Sequence, residues 1–368
     1  MSRVIGHQAI LRELRALAMS EDPPHALLFS GPDGTGRTAL AIEYALLLNC
    51  ERLHPSVTAG ASLFADEALS ELGTRNSELG TPCGECRPCR LITEGVHPDI
   101  ITLGPGDTLC RPRDGESHPK HPDSRDIRIC QVRGLIDLAA RFPFEARYRT
   151  IIIDPADRLY RDGVAAHTIL KTLEEPPGHT VFCLITAAPE ALLETIISRC
   201  RRIDVRPVAK AEVLAGLLER GVDPSLAERC AEQSRGRPGR AIAFAAQPDL
   251  MGDRSRMLER CARVAGESVG ERFRYANDLA ERFRKDRNPV LAEVDAWEAF
   301  WEERLRRGAD GGANEGLPAV LEALRAITQV REDLMVNVIP RTAFELMLLS
   351  FPRVTLDVSR EEEPAAYA

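Results

Sequence analysis

The chain contains 368 residues, of which 44% are hydrophobic and 28% are charged, and its formal net charge is -8. This length predicts two or three globular domains with ample core. The acidic balance argues against a dominant electrostatic hold on DNA and leaves a local basic patch of Arg199, Arg201 and Arg202 as a candidate contact.

Export and membrane insertion are not expected. The first 20 residues carry charges at Arg3, Arg12 and Glu13 and lack the continuous apolar core of a secretory signal. No apolar run approaches the roughly 20 residues that span a bilayer. We therefore expect a cytoplasmic protein without a membrane partner.

The first predicted elements are a buried strand at residues 26–29, a glycine-rich loop at 31–38 and a helix at 39–49. The loop sequence, GPDGTGRT, matches the phosphate-binding pattern GxxxxGKS or GxxxxGKT at every fixed position except the lysine. Such a loop surrounds phosphate with backbone N–H groups. Alternatively, the glycines only serve a tight strand-to-helix turn that needs positive φ.

The composition of this loop predicts a degenerate nucleotide site. Arg37 stands where the lysine would reach the terminal phosphates. Because arginine carries a broad planar fork instead of a compact ammonium, it is a poor replacement for lysine in a narrow pocket. We expect ATP or ADP binding to be weak or absent. The loop residues assigned to this site are Gly31, Gly34, Gly36, Arg37 and Thr38.

A second part of the nucleotide site is predicted at residues 150–157, TIIIDPAD, where a hydrophobic strand ends in acidic residues. Asp154 is suited to bind a magnesium ion directly or through water. The next residue, Pro155, has no carboxylate with which to polarise an attacking water, and Asp157 lies beyond that position. The chain is therefore predicted not to hydrolyse nucleotide by itself. Alternatively, Asp154 caps the next segment.

The ten cysteines are expected to be reduced in a chain without an export signal, so their clusters predict metal sites before disulfides. Cys83, Cys86 and Cys89 form a CxxCxxC motif. Cys50 follows the helix after the phosphate loop, with 32 residues between it and that motif. Four thiolates complete a closed tetrahedral zinc site, which we interpret as structural. His97 is the reserve fourth ligand. Free thiols and an iron–sulfur cluster are the alternatives.

Two segments, 52–80 and 104–126, look inserted, the second because proline and glycine interrupt its periodicity. We expect both to be exposed and assign no function to them, or to His118 and His121 within the second. The cysteines without metal-site spacing are predicted to be small core residues: Cys110, Cys130, Cys183, Cys230 and Cys261.

Residues 165–200 carry the motifs that indicate a family. The sequence AAHTILKTLEEPP at 165–177 precedes a predicted strand at 181–186 and a helix that starts at Pro189 and runs into the triplet SRC, residues 198–200. Together with VIGHQ at residues 4–8, these motifs resemble AAA+ subunits of bacterial DNA polymerase III clamp loaders. The resemblance covers about residues 3–208 and implies an α/β P-loop domain with a parallel sheet at residues 1–207.

The resemblance also implies roles for single residues. In the family, the arginine of the SRC triplet is an arginine finger that stabilises developing phosphoryl charge on the ATP of a neighbouring subunit, and here it is Arg199. Thr186 and Arg240 match positions near the subunit's own nucleotide. A glutamate usually follows the magnesium-binding aspartate, so Pro155 is a departure. The alternatives are an Arg199 that pairs with a helix dipole and an Arg240 that is merely solvated.

Helical periodicity dominates after residue 207. We predict a small helical lid at 208–251, an all-helical domain at 252–356 and a disordered acidic tail at 357–368. Residues 334–349 resemble the last helices of clamp-loader subunits, which oligomerise into a collar, although apolar helix faces are usually core.

These features together predict a zinc-bearing, non-hydrolysing stator of a sliding-clamp loader. The resemblance implies gamma or tau motor subunits and a delta subunit as partners, and contact with the sliding clamp and primer-template DNA through the complex. One alternative is an ATP-hydrolysing gamma- or tau-type motor, which predicts ATPase activity of the isolated chain. The other is a zinc-dependent nucleic-acid-binding module, which predicts strong salt-dependent binding.

Overall fold

The computed structural model describes residues 4–55, 80–111, 124, 126–159, 164–309, 316–335 and 338–354. The chain forms two compact units, residues 1–246 and 247–368. Most of the predicted insertions at 52–80 and 104–126, with His118 and His121, lie outside the described residues, as does the predicted tail at 357–368. Among the described helices, none combines the length and the apolarity that crossing a membrane requires.

A parallel sheet forms the centre of the first unit. Its strands are β1 (Ala26–Ser30), β2 (Ile100–Leu103), β3 (Arg149–Ile153), β4 (Thr180–Thr186) and β5 (Arg201–Asp204). Their order across the sheet is β2-β3-β4-β1-β5. Strands β1, β3 and β4 are buried along their whole length, as expected for parallel strands that are covered on both faces. The predicted α/β fold with a parallel sheet is confirmed.

Helices cover both faces of this sheet. They are α1 (Gln8–Ala18), α2 (Arg37–Asn49), α3 (Arg87–Glu94), α4 (Ile129–Ala139), α5 (Val164–Glu174) and α6 (Glu194–Ile197). Because side chains alternate along a strand, Leu27 and Phe29 of β1 pack into one core with Leu40 of α2, whereas Leu28 packs into a second core with Leu135 of α4. The sheet therefore separates two cores.

The predicted continuous helix from Pro189 to the SRC triplet is wrong. Pro189–Ala191 form one short 3-10 turn, the chain then extends at Leu192 with φ -88° and ψ 151°, and α6 begins only at Glu194. Leu192 is buried in the second core. Burial of this leucine therefore interrupts the helix that the proline and the periodicity favour.

Three more helices complete the first unit: α7 (Lys210–Leu218), α8 (Pro224–Ser234) and α9 (Pro238–Ala246). The start of α8 is fixed by Asp223, whose carboxylate accepts hydrogen bonds from the N–H groups of Ser225 and Leu226 at 3.0 and 3.2 Å. The N–H of Val208 donates to the Gly236 carbonyl at 2.8 Å, which fixes the turn before α9. Helices are thus found where the lid was predicted, while its status as a separate domain ending at residue 251 remains a prediction.

The second unit is all-helical, as predicted. Its helices are α10 (Asp249–Gly266), α11 (Val269–Lys285), α12 (Arg287–Ala309), α13 (Leu317–Met335) and α14 (Pro340–Leu349). Trp297, Trp301 and Phe344 are the largest side chains of its core. Arg272 of α11 is buried and donates hydrogen bonds to four main-chain carbonyls, those of Leu348 at 3.1 Å, Phe351 at 2.6 Å, Ala265 at 2.6 Å and Pro352 at 3.3 Å. Arg272 thereby ties the ends of α10 and α14 to α11.

Candidate nucleotide site and metal centre

The phosphate loop connects β1 to α2 at the carboxyl edge of the sheet. Gly31 adopts φ +149°, and a Cβ at this position would lie 2.1 Å from the Val205 carbonyl oxygen. Gly34 adopts φ +79° and lies against the first turn of α9, where a Cβ would be 3.2 Å from the Arg240 nitrogen. Both positions therefore require glycine, because other residues would bring steric clashes and an unfavourable backbone conformation.

Arg37, at the lysine position, folds back onto its own loop. Its Nη2 donates to the Asp33 carboxylate, four residues earlier. The residue is only 9% exposed, and its Nη1 is buried without a hydrogen bond to any described residue. The Asp33 side chain is 71% exposed. A buried guanidinium with one edge paired and one edge unpaired thus lies at the phosphate loop.

The acidic end of β3 faces the same loop. Thr38 Oγ1 donates to Asp154 Oδ2 at 2.7 Å, so the predicted metal-binding hydroxyl and carboxylate are in direct contact. The peptide bond between Asp154 and Pro155 is cis. Two oxygen ligands of the kind that magnesium prefers are therefore adjacent, and no carboxylate follows Asp154 directly.

Asp157 contacts Thr186, one of the residues predicted for the nucleotide site. Thr186 Oγ1, at the end of β4, donates to Asp157 Oδ1 at 2.8 Å. Burial, as the largest cause, raises the pKa of Asp157, and the negative charge of Asp33 adds to the increase. The hydrogen bond from Thr186 acts in the opposite direction and does not cancel it. The hydrogen bond from Thr186 therefore occupies one oxygen of the Asp157 carboxyl group, at a position two residues beyond the usual place of the water-orienting acid.

Two carbonyls of the phosphate loop accept hydrogen bonds from residues outside the loop. The N–H of Gly239, in the first turn of α9, donates to the Gly34 carbonyl at 2.8 Å. The Nε2 of His7, which precedes α1, donates to the Thr35 carbonyl at 2.7 Å. Arg240 is half-buried beside this contact. The phosphate loop is thus bounded by the start of the chain on one side and by the helix of Arg240 on the other.

Arg199 lies at the end of α6, with its side chain 34% exposed. Its Nη1 donates to the Thr195 carbonyl at 2.9 Å and its Nη2 to the Glu174 carboxylate at 2.5 Å. The guanidinium is therefore at the surface, although an ion pair within the chain engages it.

The candidate basic patch is compensated by carboxylates. Arg201 pairs with Glu13 at 2.7 Å, and Arg202 pairs with Asp204 at 3.4 Å. Since Arg199 also has an acidic partner, none of the three arginines presents an uncompensated charge. Contact between this patch and DNA stays a prediction.

The four predicted zinc ligands come together. Cys50 follows α2, Cys83 and Cys86 lie in the turn before α3, and Cys89 lies in the first turn of α3. Their sulfur atoms all lie within 4.8 Å of one another. In a tetrahedral zinc site, a metal–sulfur distance of about 2.3 Å gives sulfur separations of about 3.8 Å, and Cys83 and Cys89 are 4.0 Å apart. The four thiols therefore fit a zinc ion.

Hydrogen bonds around the cluster favour thiolate sulfur. The N–H of Cys83 donates to Cys50 Sγ at 3.3 Å, and the N–H groups of Glu85 and Cys86 donate to Cys83 Sγ at 3.4 and 3.3 Å. The Cys89 thiol, as the largest cause, lowers the pKa of Cys50 to about 4 by donating to it. The pKa of Cys89 is correspondingly raised. Such backbone donors are the partners that a metal-bound thiolate needs.

His97 does not belong to this cluster of described residues. Its Nδ1 accepts a hydrogen bond from the Asp99 N–H at 3.1 Å. The reserve ligand is thus not required, and Cys50 completes the set. Of the cysteines predicted to be core, Cys130, Cys183, Cys230 and Cys261 are buried, whereas Cys110 is only partly buried.

Comparison with known proteins shows which proteins this chain resembles. A family model described as "DNA polymerase III, delta subunit" matches residues 53–209. The tau subunit of Bacillus subtilis DNA polymerase III is 31% identical over 220 residues, which are 60% of this chain and 31% of tau. The delta' subunit of the same organism is 28% identical over 263 residues, which are 72% of this chain and 66% of delta'. The chain is therefore similar to clamp-loader subunits of bacterial DNA polymerase III.

The matched region spans less than two thirds of the length of both relatives. Among solved structures, a gamma subunit-related protein from Thermotoga maritima aligns with 92% of this chain and 97% of its own length, at 16% identity and a TM-score of 0.38. The comparisons leave the choice between delta-prime-type and tau- or gamma-type subunits to the chemistry of the site.

Sequence reasoning missed three contacts of the predicted site residues. Asp33 was treated as a variable position of the loop, Asp157 as a displaced acid, and Glu174 as part of a motif. Each pairs with a predicted site residue: Arg37, Thr186 and Arg199 respectively. Only the first pair carries a local signal, since an acid and a base four residues apart often interact.

Proposed function

We propose that the chain is a delta-prime-type stator subunit of a DNA polymerase III clamp loader. It hydrolyses no ATP in its own pocket, and it supplies Arg199 in trans to the ATP of an adjacent gamma- or tau-type motor subunit. Through the complex, with a delta subunit, this action couples nucleotide turnover to loading of the sliding clamp onto primed DNA.

The state of the chain's own pocket carries this proposal. Arg37 is paired with an acid of its own loop, and Pro155 follows the magnesium-binding position. Asp157, the nearest further acid, has a raised pKa and accepts a hydrogen bond from Thr186. A hydrolytic site needs a cation on the terminal phosphate and a group that orients water. The cation position and the water-orienting position are both altered in this chain, so we do not expect it to hydrolyse ATP alone.

Arg199 has the exposure that action in trans requires. It is held by one carbonyl and one carboxylate, and Glu174 is itself 46% exposed. Exposed ion pairs are worth about 0–1 kcal/mol, so a phosphate group of higher charge can displace the Glu174 carboxylate. An arginine finger supplied by a neighbour increases phosphoryl-transfer rates by roughly 10³- to 10⁵-fold.

Zinc completes the proposed stator as a structural element. Cys50, Cys83, Cys86 and Cys89 would hold the ion, which would cross-link the end of α2 to the start of α3. Since α2 begins at the phosphate loop, the cluster fixes the far end of the helix that carries Arg37 and Thr38. The cluster is closed by four protein ligands, and we assign it no part in phosphoryl transfer.

Reconstitution with a motor subunit tests the proposal. Arg199→Ala should lower ATP hydrolysis by the complex, through loss of at least roughly 10³-fold at the site that the finger serves, while co-elution of the subunits is unchanged. Arg201→Ala is the matched control, because this neighbouring arginine is exposed and paired with Glu13. Equal turnover by wild type and Arg199→Ala complexes contradicts the finger role.

A tau- or gamma-type motor is the second candidate, favoured by the 31% identity to Bacillus subtilis tau. It predicts that the purified chain hydrolyses ATP and that Asp154→Ala, which removes the acid bonded to Thr38, abolishes the activity. Turnover that depends on Asp154 in the isolated chain would therefore exclude the stator and support the motor.

A further inference from the structure

We propose that Asp33 is an internal competitor for the phosphate position of this loop. Its carboxylate engages the guanidinium of Arg37, so the terminal phosphate of a nucleoside diphosphate or triphosphate has to displace it. The proposal concerns this chain's own pocket and holds whether or not Arg199 acts on a neighbour.

Arg37 provides the observation that points to a ligand. The residue is 91% buried, since its exposed fraction is 9%, yet its Nη1 makes no hydrogen bond to the described residues. Leaving a buried charged donor without a partner is costly. Nη2 is taken by Asp33 within the loop, so the guanidinium stays at the loop and its second edge remains available to an anion. Arginine favours two parallel bonds to phosphate, and Asp33 occupies one of them.

The backbone keeps Asp33 in this position. The carbonyls of the two residues that follow it, Gly34 and Thr35, are fixed by Gly239 and His7 at 2.8 and 2.7 Å. The loop therefore has little freedom to carry Asp33 away as a unit. The side chain itself is 71% exposed and can rotate into solvent. The contact therefore weakens anion binding and does not abolish it.

The negative charge of Asp33 disfavours phosphate binding, as does its contact with Arg37. Burial is the main cause of the raised pKa of Asp157, and the negative charge of Asp33 adds a minor contribution. A bound phosphate would occupy the same region and meet the same repulsion. Asp33 therefore opposes phosphate twice, by occupying Arg37 and by its own negative charge.

Nucleotide binding by the isolated chain tests the proposal. Isothermal titration calorimetry with MgADP and with MgATP should show that Asp33→Asn binds nucleotide at least roughly tenfold more tightly than wild type. The reason is that the substitution removes the charged carboxylate that competes with phosphate for the Arg37 guanidinium. Asp253→Asn is the matched control: this exposed acid pairs with Arg256, three residues away, in the second unit. Circular dichroism should show that both variants are folded.

A double-substitution cycle separates competition from repulsion. The gain from Asp33→Asn should be clearly smaller when Arg37→Ala is added, because the share of the gain that comes from competition needs the cation, whereas the share that comes from charge repulsion does not. An equal gain with and without Arg37 overturns the proposal in favour of simple charge repulsion. Unchanged or undetectable binding by Asp33→Asn also overturns it. Neither result depends on hydrolysis or on a partner subunit, so failure here is distinguishable from failure of the stator role.

Discussion

Arg199 and Glu174 form a surface ion pair, with 2.5 Å between the Arg199 Nη2 and the Glu174 Oε1. Glu174 is the last residue of α5, and Arg199 follows α6, so the pair joins the two motifs LEEPP and SRC through their side chains. The carboxylate holds the guanidinium at the surface. We expect Glu174 to restrain the proposed finger until a phosphate group displaces the carboxylate.

Glu174→Gln is predicted to leave ATP hydrolysis by the reconstituted complex within about fivefold of wild type, since an exposed ion pair is worth about 1 kcal/mol or less. Glutamine can still accept the hydrogen bond from Arg199. The measurement is steady-state turnover with Arg199→Ala and Arg199→Lys complexes alongside. A Glu174→Gln defect as deep as that of Arg199→Ala would show that Glu174 does more than restrain the finger.

The cysteine cluster predicts one zinc ion per purified chain. Cys50→Ser should lower the zinc content and reduce the midpoint of thermal unfolding by at least ~4 °C, because one ligand of a closed site is lost. Metal analysis by mass spectrometry and differential scanning calorimetry measure both effects. Cys110→Ser is the cysteine control, and His97→Ala should retain the metal. A zinc-free wild type, or full occupancy in Cys50→Ser, would contradict the four-cysteine site.

The raised pKa of Asp157 predicts that its ionisation destabilises the fold. Below the ordinary value of 3.8 the group is protonated in the folded and unfolded states and there is no penalty. As the pH rises through the interval between 3.8 and the raised folded pKa, the penalty grows, and it is complete above that interval. Asp157→Asn keeps an acceptor for Thr186 and removes the penalty.

Asp157→Asn should therefore be more stable than wild type at pH 7, and this advantage should shrink as the pH falls toward 3.8. Urea unfolding at a series of pH values gives the two curves. Asp253→Asn, at an exposed position, should show no such convergence. A difference that is constant with pH would mean that Asp157 titrates normally.

Arg272 is predicted to be a major contributor to the stability of the second unit. Arg272→Ala removes one donor from each of four main-chain carbonyls, of which those of Phe351 and Pro352 have no other donor among the hydrogen bonds of the described residues, and it should lower the free energy of unfolding by about 3 kcal/mol. Arg274→Ala, two residues along the same helix, removes only an exposed pair with Glu271 and should cost under about 0.5 kcal/mol. Chemical denaturation followed by tryptophan fluorescence reports on this unit, because Trp297 and Trp301 lie in its core. Similar losses in the two variants would contradict the assigned role.

Local sequence patterns predicted the features that depend on neighbouring residues. The strand, loop and helix around residues 26–49 follow from apolar runs and glycine spacing, and the structure confirms their order. Cys50 was a candidate fourth ligand because a closed tetrahedral site needs four, and His97 was the alternative until the structure brought Cys50 to the other three cysteines. The break at Leu192 was not predictable, because it depends on a core that only the folded sheet creates.

Side-chain pairs across long separations were also beyond the sequence. Glu174 and Arg199 are 25 residues apart, and Asp157 and Thr186 are 29 residues apart. Their contacts follow from the parallel order of β3 and β4 and from where α5 and α6 end, not from any spacing. The sequence indicated candidate site groups, whereas the structure supplied the partners that restrain them.

The bond between the Gly239 N–H and the Gly34 carbonyl involves no side chain. A Cβ on either glycine would approach the opposite backbone to 3.1–3.2 Å, so substitution can disrupt this junction but cannot adjust it finely. A phosphate that shifts the loop would consequently displace the first turn of α9 as well. The helices from α7 to α9 would then respond to what the pocket contains, whether or not the chain hydrolyses it.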